Sequence, residues 1–287
     1  MKSKLFKHIT LPEMYFIDVD ETNKIYFEVS GKKDGIPVIF VHGGPGGHCR
    51  SEHHHLFNPE IFRSIIFDQR GCGKSLPYRS LIGNDTETLV NDIDKIRDFL
   101  NLKKFIIVGG SWGATLALKY AISYPQNISA ILLRSVFLGT MDEIRWAFII
   151  GPKIFTKNSK LHSWIWHDYE RILSQINPEN SMFNKTKIIL ERDGLPNSPF
   201  MELHYIKNEF FMPDNDILNN AKVLRNIPGY IVQGRYDLIC PPINAYNLSE
   251  KWKMSELILV NTAGHSSSDQ GIIENLQNCL INLSNRV

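Results

Sequence analysis

Two hundred and eighty-seven residues, 43% of them hydrophobic, suffice for one large α/β core plus an inserted segment, and a formal charge of +2 leaves no basic footprint for nucleic acid. No run reaches membrane-spanning length, the basic start Met1-Lys2-Ser3-Lys4-Leu5-Phe6-Lys7-His8 lacks a signal-peptide core, and Cys49, Cys72, Cys240 and Cys279 have neither metal nor framework spacing. A cytoplasmic chain with reduced thiols and no membrane or nucleic-acid partner is expected, as a monomer or homo-oligomer.

In chain order, strands near Tyr15 to Asp18 and Lys24 to Glu28 form an expected hairpin. A third strand, Val38 to Val41, runs into His42-Gly43-Gly44-Pro45-Gly46-Gly47. Glycines after a short apolar strand let a main-chain N–H approach a reaction centre, so Gly43 or Gly44 is the candidate for half of an oxyanion hole. His53-His54-His55, with Cys49 nearby, has no partner at ligand spacing and reads as a polar loop rather than a metal centre. After a strand at Ser64 to Phe67, Gly73-Lys74-Ser75 lacks the upstream glycine of a phosphate loop, so neither nucleotide nor other cofactor is expected. Thr86 to Asn101 reads as a helix capped by Asn84 or Asp85, burying Leu89, Ile93, Ile96, Phe99 and Leu100.

Gly109-Gly110-Ser111-Trp112-Gly113 joins the apolar run Phe105 to Val108 to the helix-forming run Ala114 to Ala121. A serine at such a strand–turn–helix is forced into a strained backbone conformation that exposes its Oγ, and the flanking glycines avoid collisions. The N–H of Trp112 and the positive helix end favour a developing oxyanion. A strand at Ala130 to Leu133 follows. From Phe137 to about Arg225 the strand–helix alternation stops, and clustered aromatics with proline-interrupted helical stretches read as an inserted helical cap over 137–225, leaving 1–136 and 226–287 as the core. The sheet resumes at Pro228. Asp237 follows the strand Tyr230 to Gly234, and His265 follows the strand Leu257 to Val260. Serine, acid and histidine thus occur in that order, each past the carboxyl end of a strand, as nucleophile, orienting acid and base. A final helix, about Gly271 to Leu283, packs through Ile272, Leu276, Leu280 and Leu283.

The chain resembles the proline iminopeptidases (prolyl aminopeptidases) of the α/β-hydrolase fold over nearly its whole length. The resemblance is carried by the glycine loop from His42 to Gly47, by Phe67-Asp68-Gln69-Arg70-Gly71-Cys72-Gly73-Lys74-Ser75, by the turn around Ser111, by Gly234-Arg235-Tyr236-Asp237 and by Ala263-Gly264-His265. It implies a mostly parallel central sheet flanked by helices, an inserted helical cap, and release of N-terminal proline from short peptides. The family's W-x-x-W-E and E-N-H-Y-F segments are similar to Trp166-His167-Asp168-Tyr169-Glu170 and Glu202-Leu203-His204-Tyr205, which makes Glu170 and Glu202 the implied holders of the substrate amine. A buried α-amino cation needs opposed charge and acceptors, and two carboxylates supply both. Phe137, Trp146 and Tyr205 are candidate walls for the proline ring. Two departures stand out: Tyr169 and Leu203 replace a tryptophan and an asparagine, and the cap is shortened at Ile154-Phe155-Thr156-Lys157-Asn158-Ser159-Lys160. The same triad acting on a small uncharged substrate would make an esterase, amidase or lactonase; a catalytically silent fold binding a small ligand is the remaining alternative.

Overall fold

The computed structural model describes residues 5–7, 11–148, 160–176 and 194–287. Eight strands build one sheet: β1 (Glu13–Asp18), β2 (Lys24–Gly31), β3 (Ile36–Val41), β4 (Phe62–Phe67), β5 (Phe105–Ser111), β6 (Ile128–Val136), β7 (Gly229–Gly234) and β8 (Ser255–Val260). Their spatial order is β1-β2-β4-β3-β5-β6-β7-β8, antiparallel for the first two pairings and parallel from β4 to β8. The expected hairpin is β1–β2, with Tyr15 opposite Phe27.

Parallel strands buried on both faces read as near-continuous apolar runs, and the alternation of their side chains splits the core in two. Ile39 and Ile107 face one cluster, with helix α1 (Thr86–Phe99) and helix α2 (Trp112–Ser123); Val38, Ile106 and Val108 face the other. The C-terminal helix, Ile272–Ser284, covers the second face through Ile272, Leu276, Leu280 and Leu283. The chain leaves β3 for β4 on one side and returns to β5 on the other. The carboxyl ends of β3 and β5 therefore flank the switch point where open α/β sheets receive ligands.

Helix α1 is capped by Asp85, whose side chain accepts the Thr88 N–H at 2.8 Å. Leu89, Ile93 and Ile96 are buried as expected, but Phe99 is 50% exposed. The helix ends there, Asn101 turns left-handed at φ 53°, and Leu102 enters the core in its place. Phe99 instead packs edge-on to Tyr15 and Phe27 at the sheet's rim.

Between β6 and β7 the described regular elements are all helical: α3 (Met141–Phe148), α4 (Lys160–Leu173), α5 (Asn197–Lys207), the short α6 (Asp216–Asn220) and two 3₁₀ turns. Trp166, Tyr205 and Phe210 join the same apolar cluster as Trp112, so this segment is anchored to the nucleophile helix by its own core. The run 154–159, where the cap is expected to be short, lies outside the described residues. No helix among the described residues is long and apolar enough to cross a membrane. All four cysteines are free.

Candidate active site

Ser111 closes β5 and caps α2, with φ 57° and ψ −128°. A non-glycine residue is held in this region only by over-determined surroundings. Those surroundings explain the flanking glycines: a Cβ on Gly109 would collide with the Gly113 carbonyl, and one on Gly113 with the Val41 carbonyl. Close packing of turn, helix and β3 thus aims the serine at the cavity it lines. Its Oγ lies 4.0 Å from Cys240 Sγ and makes no hydrogen bond to His265 among the described residues. Burial pushes the Cys240 thiol up, so it stays protonated.

Asp237 sits in the tight turn after β7. Its Oδ1 accepts the Ile239 and Cys240 N–H groups at 3.0 and 2.8 Å, and its Oδ2 accepts Gln233 Nε2 at 3.1 Å. His265 Nδ1 stands 3.1 and 3.0 Å from the two carboxylate oxygens. Burial opposes ionisation of Asp237, but the His265 charge and these donors outweigh it and hold the carboxyl below its ordinary range. The acid therefore orients Nδ1–H and leaves Nε2 available. The loop of His265 is fixed from β6: Arg134 Nη1 and Ser135 Oγ both donate to the His265 carbonyl. Ser135, at φ 49°, is the extra residue where the β5–β6 register shifts between Gly110 and Ser111. That bulge turns the buried hydroxyl to the histidine loop.

The glycine loop reaches the other side of Ser111. Gly44 lines the serine's cavity, while an ideal Cβ on Gly43 would stand 3.1 Å from Gly110 O and 4.0 Å from Ser111 Oγ. Only a bare backbone passes there. His42 below it is buried, which lowers its pKa to about 4; the neutral ring pairs Nδ1 with Gly43 O at 2.7 Å and accepts the Gln69 N–H at Nε2, 3.1 Å. Gln69 also donates its side-chain amide to His42 O at 2.8 Å and accepts Trp112 Nε1 at 3.0 Å. One amide thus fixes the separation of the glycine loop and the nucleophile helix. Local sequence assigns Gln69 no role; the one signal is an uncharged polar side chain two residues past the apolar run Ile65-Ile66-Phe67. Gln69→Leu is expected to lower kcat about tenfold with a smaller change in KM, and to cost about 2 kcal/mol by orphaning the Trp112 indole and the His42 carbonyl, readable in steady-state kinetics and urea unfolding.

Glu170 on α4 and Glu202 on α5 line the same cavity as Ser111 and His265. The two carboxyls are hydrogen-bonding neighbours, and Glu202 Oε2 accepts Trp166 Nε1 at 2.6 Å. Burial raises both pKa values, and the Glu202 charge raises that of Glu170 further, so the pair shares a proton. The cavity, about 300 Å³, has apolar walls from Phe137, Ala147, Phe210 and Ile239.

Of the aromatic wall candidates, Phe137 lines this cavity and two do not. Trp146 is 59% exposed, bonds Leu238 O through Nε1 at 2.8 Å and lines an adjoining hollow, because its turn of α3 points outward over the acid loop. Tyr205 is fully buried behind the site: its ring packs on Trp112 and its hydroxyl donates to Asn84 Oδ1 at 2.7 Å. Phe210 takes the wall position instead, 5.0 Å edge-on from Phe137, in a run where Glu209, Phe210 and Phe211 have φ of 50°, 54° and 52°. Nothing in local sequence announces such left-handed residues.

Two of the three histidines in the run lie in different environments. His54 Nδ1 pairs with Ser64 Oγ at 2.7 Å beside Glu28, while His53 packs on Phe40. No group of three or more His, Cys, Asp or Glu among the described residues could hold a metal.

Residues 36–272 match the model of the alpha/beta hydrolase fold family. The proline iminopeptidase of Neisseria gonorrhoeae is 35% identical over 288 residues, covering 91% of this chain and 93% of that protein. The one from Arabidopsis thaliana is 34% identical over 289 residues, covering 89% and 76%. Among solved structures, an esterase of Exiguobacterium antarcticum superposes with a TM-score of 0.69 at 21% identity, covering 94% of this chain and 98% of that one; a similarity of that kind speaks for the fold alone. The fold match, together with identity above 30% along nearly the whole chain, makes this protein a member of the proline iminopeptidase family of α/β hydrolases.

Proposed function

We propose that this protein is a serine aminopeptidase that releases N-terminal proline from short peptides. The observation that carries the reading is the proton-sharing pair Glu170–Glu202, set in the same small cavity as Ser111 and His265. A secondary ammonium entering there displaces the shared proton and meets two carboxylates, while the ring lies among Phe137, Phe210 and Ile239. An internal peptide bond has no such cation, so the pair counts from the chain's N-terminus.

In this reading Ser111 Oγ turns toward His265 Nε2 on substrate binding, as catalytic contacts often tighten only in the complex. His265 takes the hydroxyl proton as Oγ attacks the prolyl carbonyl carbon, and the N–H groups of Gly44, or Gly43, and Trp112 hold the oxyanion. Collapse breaks the C–N bond, and the proton on His265 goes to the departing amine. Water then attacks the acyl-enzyme, with His265 again as base, and free proline leaves. The segment 137–225 acts as the cap, and the working compartment is the cytoplasm.

The test is a panel of free and N-acetylated aminoacyl arylamides beside short acyl esters. Hydrolysis of the free prolyl arylamide at least about 100-fold faster than its N-acetyl form is expected, since the charge-assisted contacts are lost on acylation. Ester turnover without arylamide turnover would replace this reading by that of an esterase.

A further inference from the structure

A second cavity, about 670 Å³, adjoins the nucleophile cavity of about 300 Å³, and Gly47, His167 and Ser198 line both. Their charges differ in sign. The smaller holds Glu170 and Glu202 beside Arg171, whose charge is offset by its ion pair to Asp168 at 3.7 Å; the larger is lined by Arg50 and Arg134 against a single carboxylate, Glu52, among the described residues. Neither arginine forms an ion pair with a described carboxylate, unlike Arg70, which is buried between Asp92 and Asp20. His42 and His53, also in this wall, are kept neutral by burial, each lowered to about 4, so the arginines are its permanent cations. Arg134 is committed to Ser135 and the His265 carbonyl. Arg50 is exposed, and its guanidinium has no acidic partner among the described residues.

We infer that this second cavity seats the leaving portion of the substrate, and that Arg50 binds its terminal α-carboxylate. The inference rests on the aminopeptidase reading and deepens it by naming the substrate class: short peptides with a free C-terminus. Such a peptide carries a cation at one end and an anion at the other. Two contiguous cavities of opposite charge, with the nucleophile opening into the acidic one, match that polarity end to end. Guanidinium presents a planar fork that takes both carboxylate oxygens, and an exposed pair of this kind is worth about 1 kcal/mol at low salt, about fivefold in kcat/KM.

The experiment compares Pro-Gly, Pro-Gly-Gly and Pro-Gly-Gly-Gly as free acids and as C-terminal amides, at low and high salt, in the wild type and Arg50→Gln, with prolyl arylamide as a substrate that lacks the carboxylate. At one of these lengths the acid is expected to exceed the amide about fivefold in kcat/KM at low salt. That ratio falls toward one at high salt and in Arg50→Gln, whose arylamide turnover stays at the wild-type level. An acid-to-amide ratio of one at every length, with arylamide turnover intact, overturns the inference and leaves the aminopeptidase reading standing. A high ratio that persists in Arg50→Gln removes Arg50 as the anchor. Failure to turn over prolyl arylamide at all sinks the underlying reading, and this inference with it.

Discussion

Ser111→Ala is expected to lower turnover of a prolyl arylamide by about 10⁴- to 10⁶-fold while the protein stays folded. The loss is large because the neighbouring Cys240 thiol, 4.0 Å from Ser111 Oγ, is kept protonated by burial, and the other alcohols lining the cavity, Ser174 and Ser198, lie on the helical segment rather than at the strained turn. The fold is spared because the hydroxyl makes no strong hydrogen bond to surrender. Alanine meets the same left-handed backbone as serine, so the stability change should stay within about 0.5 kcal/mol. Ser111→Gly provides the companion measurement. Glycine adopts φ 57° without penalty, so that variant should be equally inactive yet about 1 kcal/mol more stable than the alanine variant in urea unfolding. Retention of more than a few per cent of activity in Ser111→Ala would remove the serine mechanism. Equal stability of the two variants would show that the turn stores no strain.

Glu202→Gln should cut kcat/KM for prolyl arylamide by about 100-fold and leave hydrolysis of a small acyl ester nearly unchanged. The amide still accepts the Trp166 indole N–H through its oxygen, so the wall survives while the negative charge does not. Stability should move the other way. Burial raises the Glu170 and Glu202 pKa values in the fold, so between the ordinary carboxylate range and the raised values the native state binds more protons than the unfolded chain. Stability from this pair is therefore present below the unfolded carboxylate pKa, about 4.3, and is lost as pH rises through the folded values. Glu202→Gln removes the charge that opposes Glu170 and should flatten that decline, making the variant more stable than wild type in mildly alkaline buffer. Guanidinium melts across the pH range read this directly. An equal loss of rate on amine and ester substrates would argue that Glu202 shapes the cavity rather than binding the amine.

The two experiments probe opposite ends of one design. A strained serine and a buried carboxyl pair each cost stability, and the loops around the serine are tied down by hydrogen bonds. Asp237 is met by four donors, Gln69 ties the glycine loop to the nucleophile helix, and Arg134 and Ser135 hold the histidine loop. These supports lie on β-strand ends or immediately after them, which is where a rigid scaffold positions loops with least freedom.

The succession of strands along the chain, the turn around Ser111, the glycine loop and the positions of Asp237 and His265 just past strands were legible in the residues themselves, whereas the order of the strands in the sheet was not. Each depends on local rules: apolar runs of strand length, glycines where backbone must pass close to backbone, and helix caps such as Asp85. The placement of Phe99, Trp146, Tyr205 and Phe210 was not. All four are large aromatics in apolar surroundings of similar composition, and whether each lines the cavity, supports it from behind or sits at a rim depends on where its element meets elements far along the chain. Gln69 is similar, since its worth comes from His42 and Trp112, which only the packed sheet brings to either end of one amide. Local chemistry in this chain thus specified which atoms could react and at which strand ends they would emerge. Long-range packing alone decided which aromatic rings line the cavity of Ser111 and that two glutamates 32 residues apart meet there with raised pKa values, because burial and mutual approach are properties of the assembled core and of no short segment.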